Sequence, residues 1–142
     1  MFHMKQFQQF TSHKNDGKKP EHLVVGQIGE DVAVKHFVKQ GFEILDRNYR
    51  KKYGEIDIVA KKDGILHFVE VKTVSCETVP DGYQPEENIN FFKAKRLSNV
   101  IKAYLASGRV SYETDFQIDA VAIFLNQTTK KAKIRITEGI IL

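Results

Sequence analysis

Two predicted strands carry charged residues at positions that are otherwise apolar. Glu55 and Asp57 share one face of the first strand, and Glu70 and Lys72 share one face of the second, because side chains alternate along a strand. The turn signal Asp63-Gly64 lies between the two strands, so we expect an antiparallel hairpin that brings both faces together. Carboxylates among apolar positions are costly unless something compensates them, which makes this group a candidate site.

Glu30 is expected to join this group from a helix. Its neighbours at helical spacing are small or apolar, which predicts that Glu30 points inward; they are Gly26, Ala33, Val34 and Phe37. Three carboxylates and one amine at the rim of a sheet match the needs of a hard divalent cation, which takes oxygen ligands and leaves positions for water and phosphate. We therefore expect Mg²⁺ or Mn²⁺ as the cofactor.

Such a site supports metal-assisted hydrolysis of a phosphodiester bond. The expected metal ligands are Asp57, Glu70, Glu30 and, through its backbone carbonyl, Val71. Glu30 is either an outer-sphere ligand or a ligand of a second metal ion, and Glu55 supports the site from behind the ligands. Lys72 holds or deprotonates the attacking water, or stabilises the transition state. The competing interpretation is an exposed sheet edge with cross-strand ion pairs.

Hydrophobic periodicity and turn residues define the elements that must position these side chains. The expected elements are a helix at 23–40, strands at 42–49, 54–60 and 65–73, a loop at 74–89, a helix at 90–107, and strands at 115–125 and 133–137. The strand at 115–125 is apolar enough to be buried on both faces. The fold class is α/β or α+β, with a mixed β-sheet flanked by two main helices in the order α-β-β-β-α-β-β.

Length and composition indicate a single domain of 142 residues with a net charge of +4. No apolar run approaches the ~20 residues of a spanning helix, and no signal peptide is recognisable, so a cytoplasmic protein without membrane contact is expected. Cys76 is the single cysteine, which excludes an intrachain disulfide and a zinc site of several thiolates. Residues 1–20 are basic and lack periodicity, which predicts a flexible arm ahead of one folded domain at 21–142.

Basic residues near one end of the hairpin are candidates for nucleic-acid contact; they are Arg47, Arg50, Lys51 and Lys52. Lys93 is expected on the inward side of the second helix near its N-terminus, where backbone N–H groups also favour phosphate. Tyr49, Tyr53 and Tyr83 fit packing better than base stacking. No glycine-rich nucleotide-binding pattern occurs, so no nucleotide cofactor is expected.

The combination of Asp57 with Glu70-Val71-Lys72 resembles the motif of the restriction-endonuclease-like superfamily, an aspartate followed by Asp or Glu, any residue, and Lys. A wider set of motifs resembles the YraN family of bacterial proteins over about residues 21 to 125. These motifs are Gly29-Glu30, Gly41-Phe42, Arg47-Asn48-Tyr49-Arg50, Gly54 to Ala60, Phe68 to Thr73, Lys93 to Leu97 and Tyr104-Leu105. The chain is also similar to archaeal Holliday-junction resolvases.

The resemblance implies a nuclease-like core at 21–142 and binding of nucleic acid, most simply DNA. Two departures affect this expectation. Val74 stands where the family usually has an arginine, which removes one phosphate contact, and Phe116-Gln117-Ile118-Asp119 replaces a typical Arg-Phe-Asp. The proposed metal ligands are intact.

Three hypotheses about the function follow from the sequence. The first is a metal-dependent endonuclease that acts on DNA, including branched or single-stranded DNA, through a metal-activated water. The second is a catalytically silent nucleic-acid-binding module of the same fold, and the third is a structural domain that binds neither metal nor nucleic acid. The joint presence of Asp57, Glu70 and Lys72 favours the enzyme, since a binding module has no chemical need for all three. The oligomeric state, including a homodimer, stays open.

Overall fold

The computed structural model describes residues 2–10, 20–76, 82 and 91–140. Six strands and two helices follow one another within these ranges. They are β1 Phe2–Gln9, α1 Glu21–Lys39, β2 Glu43–Lys51, β3 Gly54–Lys62, β4 Ile65–Ser75, α2 Phe91–Ala106, β5 Phe116–Asn126 and β6 Lys131–Thr137. The β3–β4 turn has the predicted residues in left-handed conformation, with φ of 51° at Asp63 and 78° at Gly64, as a tight hairpin turn requires.

The strands form one mixed sheet in the order β1-β6-β5-β4-β3-β2. β4 and β5 are parallel neighbours, and every other neighbouring pair is antiparallel. Helix α2 lies in the connection between β4 and β5, because parallel strands need a long crossover. The sheet therefore has the predicted mixed character, and the predicted order α-β-β-β-α-β-β is confirmed from α1 onward.

Each helix packs on its own hydrophobic core. Ile28, Val32 and Phe37 of α1 belong to one core, whereas Leu97 and Val100 of α2 belong to the other. Adjacent residues of β4 divide between them, since Phe68 packs with α2 and Val69 packs with α1. Alternation along the central strands thus places one helix on each face of the sheet.

Helix α1 lies very close to β4 at Gly29. A Cβ atom at this position would overlap the side chain of Thr73. Glycine is therefore required here for close packing rather than for backbone freedom. This contact fixes the neighbouring residue, Glu30, beside the C-terminal half of β4.

A polar cluster joins α2 to β2 on the opposite face. The Tyr104 hydroxyl donates to Asp46 Oδ2 at 2.8 Å, and Arg109 Nη1 donates to Asp46 Oδ1 at 2.6 Å. Burial and the bond to Asp46 hold the pKa of Tyr104 well above its ordinary value. The Tyr49 ring packs edge-on against Tyr104, with ring centroids 4.9 Å apart. Tyr49 is therefore a packing residue, as expected.

The prediction of a flexible arm is wrong for residues 2–9. These residues form β1, which pairs antiparallel with β6 from Phe2↔Thr137 to Gln9↔Lys131. Phe10 follows, buried in the α1 core, and its backbone N–H donates to Lys130 O at 3.1 Å. An edge strand is held by backbone hydrogen bonds, so a segment without side-chain alternation can still complete a sheet. Residues 11–19 lie outside the described residues.

The expected loop at 74–89 begins later than predicted, because β4 continues to Ser75. Most of the remaining segment, including Tyr83, lies outside the described residues. Across the described parts of the chain, neither helix is both long and apolar enough to cross a membrane.

Candidate functional site

An open cleft of about 910 Å³ lies between the N-terminal half of α1 and the ends of β2, β3 and β4. Its lining combines acidic, basic and amide side chains with backbone and small residues. The lining residues are His22, Leu23, Gly26, Gln27, Glu30, Asp31, Arg47, Asn48, Arg50, Glu55, Asp57, Val71, Lys72 and Thr73. Most of the residues selected from the sequence thus border one cavity, within the size range of ligand sites.

A break in strand alternation shapes this cleft. Arg47 contacts Asp31 of α1, whereas Tyr49, two residues later in β2, packs against α2 on the other face. Asn48 between them has φ of 50°, a left-handed conformation that a regular strand does not contain. The pairs Arg47↔Ile58 and Tyr49↔Ile56 place Asn48 opposite Asp57.

The partner strand shows the same change of face. Ile58 belongs to the α1 core and Ile56 to the α2 core, although a spacing of two residues would keep them on one face of a regular strand. Asp57 lies between them and lines the cleft. The irregularity at Asn48 and Asp57 therefore turns the aspartate toward the side occupied by Glu30.

Asp57 is the buried carboxylate of the site, with 8% of its surface exposed. Its Oδ2 accepts the backbone N–H of Val71 at 2.8 Å. Burial, and next the negative charge of Glu70, raise the pKa of Asp57 to about 8, while the bond from Val71 opposes this rise. Glu30 and Glu55 add further repulsion. A raised aspartate pKa in a cleft marks a place where positive charge is favoured.

Glu30 points inward, as the helical spacing predicts. Its side chain is 14% exposed, and burial is the main cause that raises its pKa. Arg47 Nη2 lies 3.7 Å from Glu30 Oε1, and Asn48 hydrogen-bonds the carboxyl group. Among the described residues Glu30 Oε1 is nevertheless buried without a hydrogen-bond partner. A buried carboxylate oxygen in this condition is available to a ligand.

Glu70 lies near Asp57 but interacts with the other helix. Its Oε1 accepts Lys93 Nζ at 2.6 Å, across the sheet face that carries α2. Lys93 thus lies on the inward side of α2, as predicted, with its ammonium group at Glu70. Lys72 is exposed and lines the cleft. Asp57, Glu70 and Lys72 thus differ in their surroundings. Asp57 is buried, Glu70 forms an ion pair with Lys93, and the amine of Lys72 is exposed.

The basic residues selected from the sequence divide into two groups. Arg47 and Arg50 line the cleft, where Arg47 Nη2 donates to Asp31 at 2.6 Å and Arg50 Nε donates to Glu55 at 2.7 Å. Lys51 extends its ammonium group over the Tyr49 ring, 5.1 Å from the centroid. Lys52 is exposed in the β2–β3 turn. Of these four residues, the two arginines line the cleft and the two lysines do not.

The donor chemistry of the cleft fits a hard divalent cation. The carboxylates of Asp57 and Glu30 can provide oxygen ligands, and Glu55 adds negative charge behind them. Glu30 Oε1 lacks a hydrogen-bond partner and the pKa of Asp57 is raised, and both features favour a cation at this place. Within the described ranges, no three acidic, histidine or cysteine side chains are already arranged to hold a metal ion. Cation binding would therefore require these side chains to move together.

Sequence reasoning did not select two residues that the cleft uses. Asp31 of α1 accepts a hydrogen bond from Arg47 and is about one-third exposed. Hydrophobic periodicity does not indicate a role for Asn48, because that role depends on a left-handed backbone conformation in the middle of a strand. The enrichment of asparagine among residues with positive φ is the signal that could have suggested it.

A second polar cluster lies elsewhere on the sheet. His67 Nδ1 lies 2.6 Å from Oδ2 of Asp119, which is 1% exposed. Asp119 Oδ1 also accepts Gln117 Nε2 at 2.8 Å and the Gly139 backbone N–H at 3.1 Å. These bonds tie β4, β5 and the segment after β6 together, and the cluster shares no residue with the cleft.

Comparison with known proteins identifies relatives over most of the chain. A model of the uncharacterised protein family UPF0102 matches residues 29–123. A UPF0102 protein of Campylobacter jejuni subsp. jejuni serotype O:23/36 is 45% identical over 98 residues, which is 69% of this chain and 81% of the relative.

More distant relatives give the same result. A UPF0102 protein of Campylobacter hominis is 41% identical over 117 residues, 82% of this chain and 93% of the relative. A UPF0102 protein of Dictyoglomus turgidum is 35% identical over 102 residues, 72% of this chain and 83% of the relative.

Proposed function

The chain belongs to the UPF0102 family, which is the YraN family that its motifs resemble, and on this premise we propose that it is a divalent-metal-dependent endonuclease acting on DNA. The observation that carries the proposal is the buried Asp57, whose pKa is raised to about 8 by burial and by Glu70, in a cleft lined by Lys72 and two arginines. Acidic oxygen ligands beside basic groups are what cleavage of a phosphodiester requires.

Each side chain has a defined task in this proposal. Asp57, Glu70, Glu30 and the Val71 carbonyl would hold Mg²⁺ or Mn²⁺, with Glu55 behind them. The bound cation supplies Lewis acidity and positive charge. Lys72 orients the attacking water or donates to the phosphate that is being cleaved. Arg47 and Arg50 bind flanking phosphates through their guanidinium groups, for which planar donors are well suited.

The Lys93–Glu70 ion pair favours a second candidate, a nucleic-acid-binding module without turnover. With Lys93 Nζ 2.6 Å from Glu70, one expected metal ligand is already neutralised by the chain itself. In such a module the acidic cluster would position the basic residues, and DNA would bind without cleavage.

Cleavage assays separate these candidates. Labelled single-stranded, duplex, flap and four-way-junction DNA and a matched RNA would be incubated with Mg²⁺, Mn²⁺ or EDTA. We expect cation-dependent cleavage that Asp57→Asn and Lys72→Ala abolish and that Lys102→Ala, an exposed lysine of α2, leaves unchanged. Salt-sensitive binding without cleavage would support the binding module instead. Preference for RNA would correct the substrate.

A further inference from the structure

The carboxylates around Asp57 are paired with basic residues of the same chain. These pairs are Glu30 with Arg47 at 3.7 Å, Glu55 with Arg50 at 2.7 Å and Glu70 with Lys93 at 2.6 Å. The acids that would hold a cation are thus joined to the groups that would bind phosphate. In this structure the acidic and the basic groups therefore neutralise each other.

The pair of Arg50 and Glu55 is the one most easily exchanged. The Arg50 side chain is 74% exposed and that of Glu55 is 42% exposed. Exposed ion pairs contribute little stability, because water screens them and two long side chains must be held in place. A stronger partner for either residue would therefore separate them at small cost.

We infer that the cleft is a charge-exchange site, in which a divalent cation held by the acidic cluster draws Glu55 away from Arg50 and so releases Arg50 to bind a phosphodiester. This inference rests on the proposed metal and DNA site and adds the order in which the two ligands bind. A bound cation takes over the neutralisation of Glu55, and Arg50 then loses its internal partner, whereas Arg47 keeps its 2.6 Å bond to Asp31. Phosphate in turn removes Arg50 from Glu55 and strengthens cation binding, since coupling between two sites is reciprocal.

The inference is tested by the equilibrium affinity for a fluorescein-labelled single-stranded oligonucleotide, read as fluorescence anisotropy. Ca²⁺ replaces Mg²⁺ as the oxygen-liganded probe, and ionic strength is kept constant because phosphate binding is salt-dependent. We expect Ca²⁺ to tighten binding by about 5- to 150-fold, the usual range of coupling between two sites.

The variant Glu55→Gln imitates the released state without a cation. It should tighten metal-free binding and reduce the further gain from Ca²⁺, because Arg50 no longer has its acidic partner. Removal of any negative charge near DNA also increases affinity, so a double-mutant cycle with Arg50→Gln separates the two causes. Charge exchange predicts that the gain from Glu55→Gln disappears when Arg50 is absent. Circular dichroism checks that these exposed substitutions leave the fold intact.

A gain that persists in the Arg50→Gln background would overturn charge exchange and leave the proposed endonuclease standing. The same holds if Ca²⁺ fails to change the affinity of a protein that cleaves DNA with Mg²⁺. Absence of DNA binding in every state would overturn the proposed function and this inference together. Calorimetric titration with Ca²⁺ supplies the reciprocal check, since Arg50→Gln should bind the cation more tightly.

Discussion

The carboxylate of Asp57 accepts the backbone N–H of Val71 at 2.8 Å, just beyond the end of the β3–β4 pairing at Ile58↔Val69. A side chain thus takes the place of the next backbone acceptor along the hairpin. Past this point β4 continues beside β5 alone, and the space that opens next to Asp57 is part of the cleft. One residue therefore both ends the pairing of two strands and forms the centre of the acidic cluster.

Stability should depend on pH through Asp57 when no divalent cation is present. The pKa of Asp57 is about 8 in the folded protein, whereas the ordinary value of 3.8 applies to the unfolded chain. Between these two pH values the folded chain therefore binds one proton more than the unfolded chain. The free energy of unfolding must then fall as pH rises from about 4 to about 8, by an amount on the order of a few kcal/mol.

Asp57→Asn keeps an acceptor for Val71 and should remove this dependence. Urea unfolding in EDTA at about pH 5 and about pH 8 measures the change. Glu113→Gln, an exposed acid far along the chain, is the control and should behave as wild type. If the free energy of unfolding changed equally between the two pH values in Asp57→Asn and in wild type, Asp57 would not be the responsible group.

Divalent cations should stabilise the protein most at alkaline pH. A ligand that binds only the folded state raises the unfolding temperature, and carboxylates bind metal in their deprotonated form. We therefore expect a larger rise with Mg²⁺ or Mn²⁺ near pH 8 than near pH 5, and no rise in Asp57→Asn. Sodium chloride at equal ionic strength is the control. A rise of equal size in the variant would place the cation elsewhere.

Two glycines of α1 should respond oppositely to alanine. A Cβ at Gly26 meets nothing within 4 Å, so Gly26→Ala should stabilise the helix by about 0.5–1 kcal/mol. A Cβ at Gly29 would overlap Thr73, so Gly29→Ala should destabilise the protein by about 1–3 kcal/mol. Urea unfolding measures both changes.

A third substitution, Thr73→Ala, tests the cause of the Gly29 effect. It removes the two overlapping atoms beyond Cβ but leaves Thr73 Cβ 2.8 Å from the new methyl group, so it should rescue Gly29→Ala in part. No rescue would mean that α1 contacts β4 differently. Because the contact sets the position of Glu30, Gly29→Ala should also weaken Ca²⁺ binding.

Asp119 should be a major source of stability without any role in the cleft. Its carboxylate is buried and serves His67, Gln117 and the Gly139 amide. Asp119→Ala leaves the buried His67 ring without its carboxylate partner and removes the acceptor of Gln117 and of the Gly139 amide, and we expect a loss of about 2–4 kcal/mol. Asp115→Ala is the matched control, because that exposed side chain stands just before the same strand. Normal stability of Asp119→Ala would contradict this assignment.

Those features of the fold that depend on local pattern were predictable. The apolar stripe of α2, the buried β5 and the turn at Asp63-Gly64 all follow from periodicity or from residues suited to positive φ. β1 was missed because an edge strand depends on backbone pairing with β6, which sequence alternation does not report.

The candidate site was likewise predictable only where it depends on local geometry. The inward position of Glu30 and the shared side of Glu55 and Asp57 were predicted from helix and strand geometry. The pairing of Glu70 with Lys93 was not, because it depends on how α2 lies against β4. The left-handed Asn48 was not predicted either, because hydrophobic periodicity does not report a residue with positive φ inside a strand, although asparagine is enriched at such positions.

The pairing of β1 with β6 has a consequence for the order of folding. It joins position 2 to position 137, so its formation closes most of the chain into a loop. The hairpins of β2, β3 and β4 close far shorter loops and have a much smaller entropic barrier. The cleft belongs to these early elements and to α1, whereas β1 must wait until β6 has been synthesised. The ribosome-bound chain can therefore assemble the acidic cluster while the far edge of its sheet is still unformed.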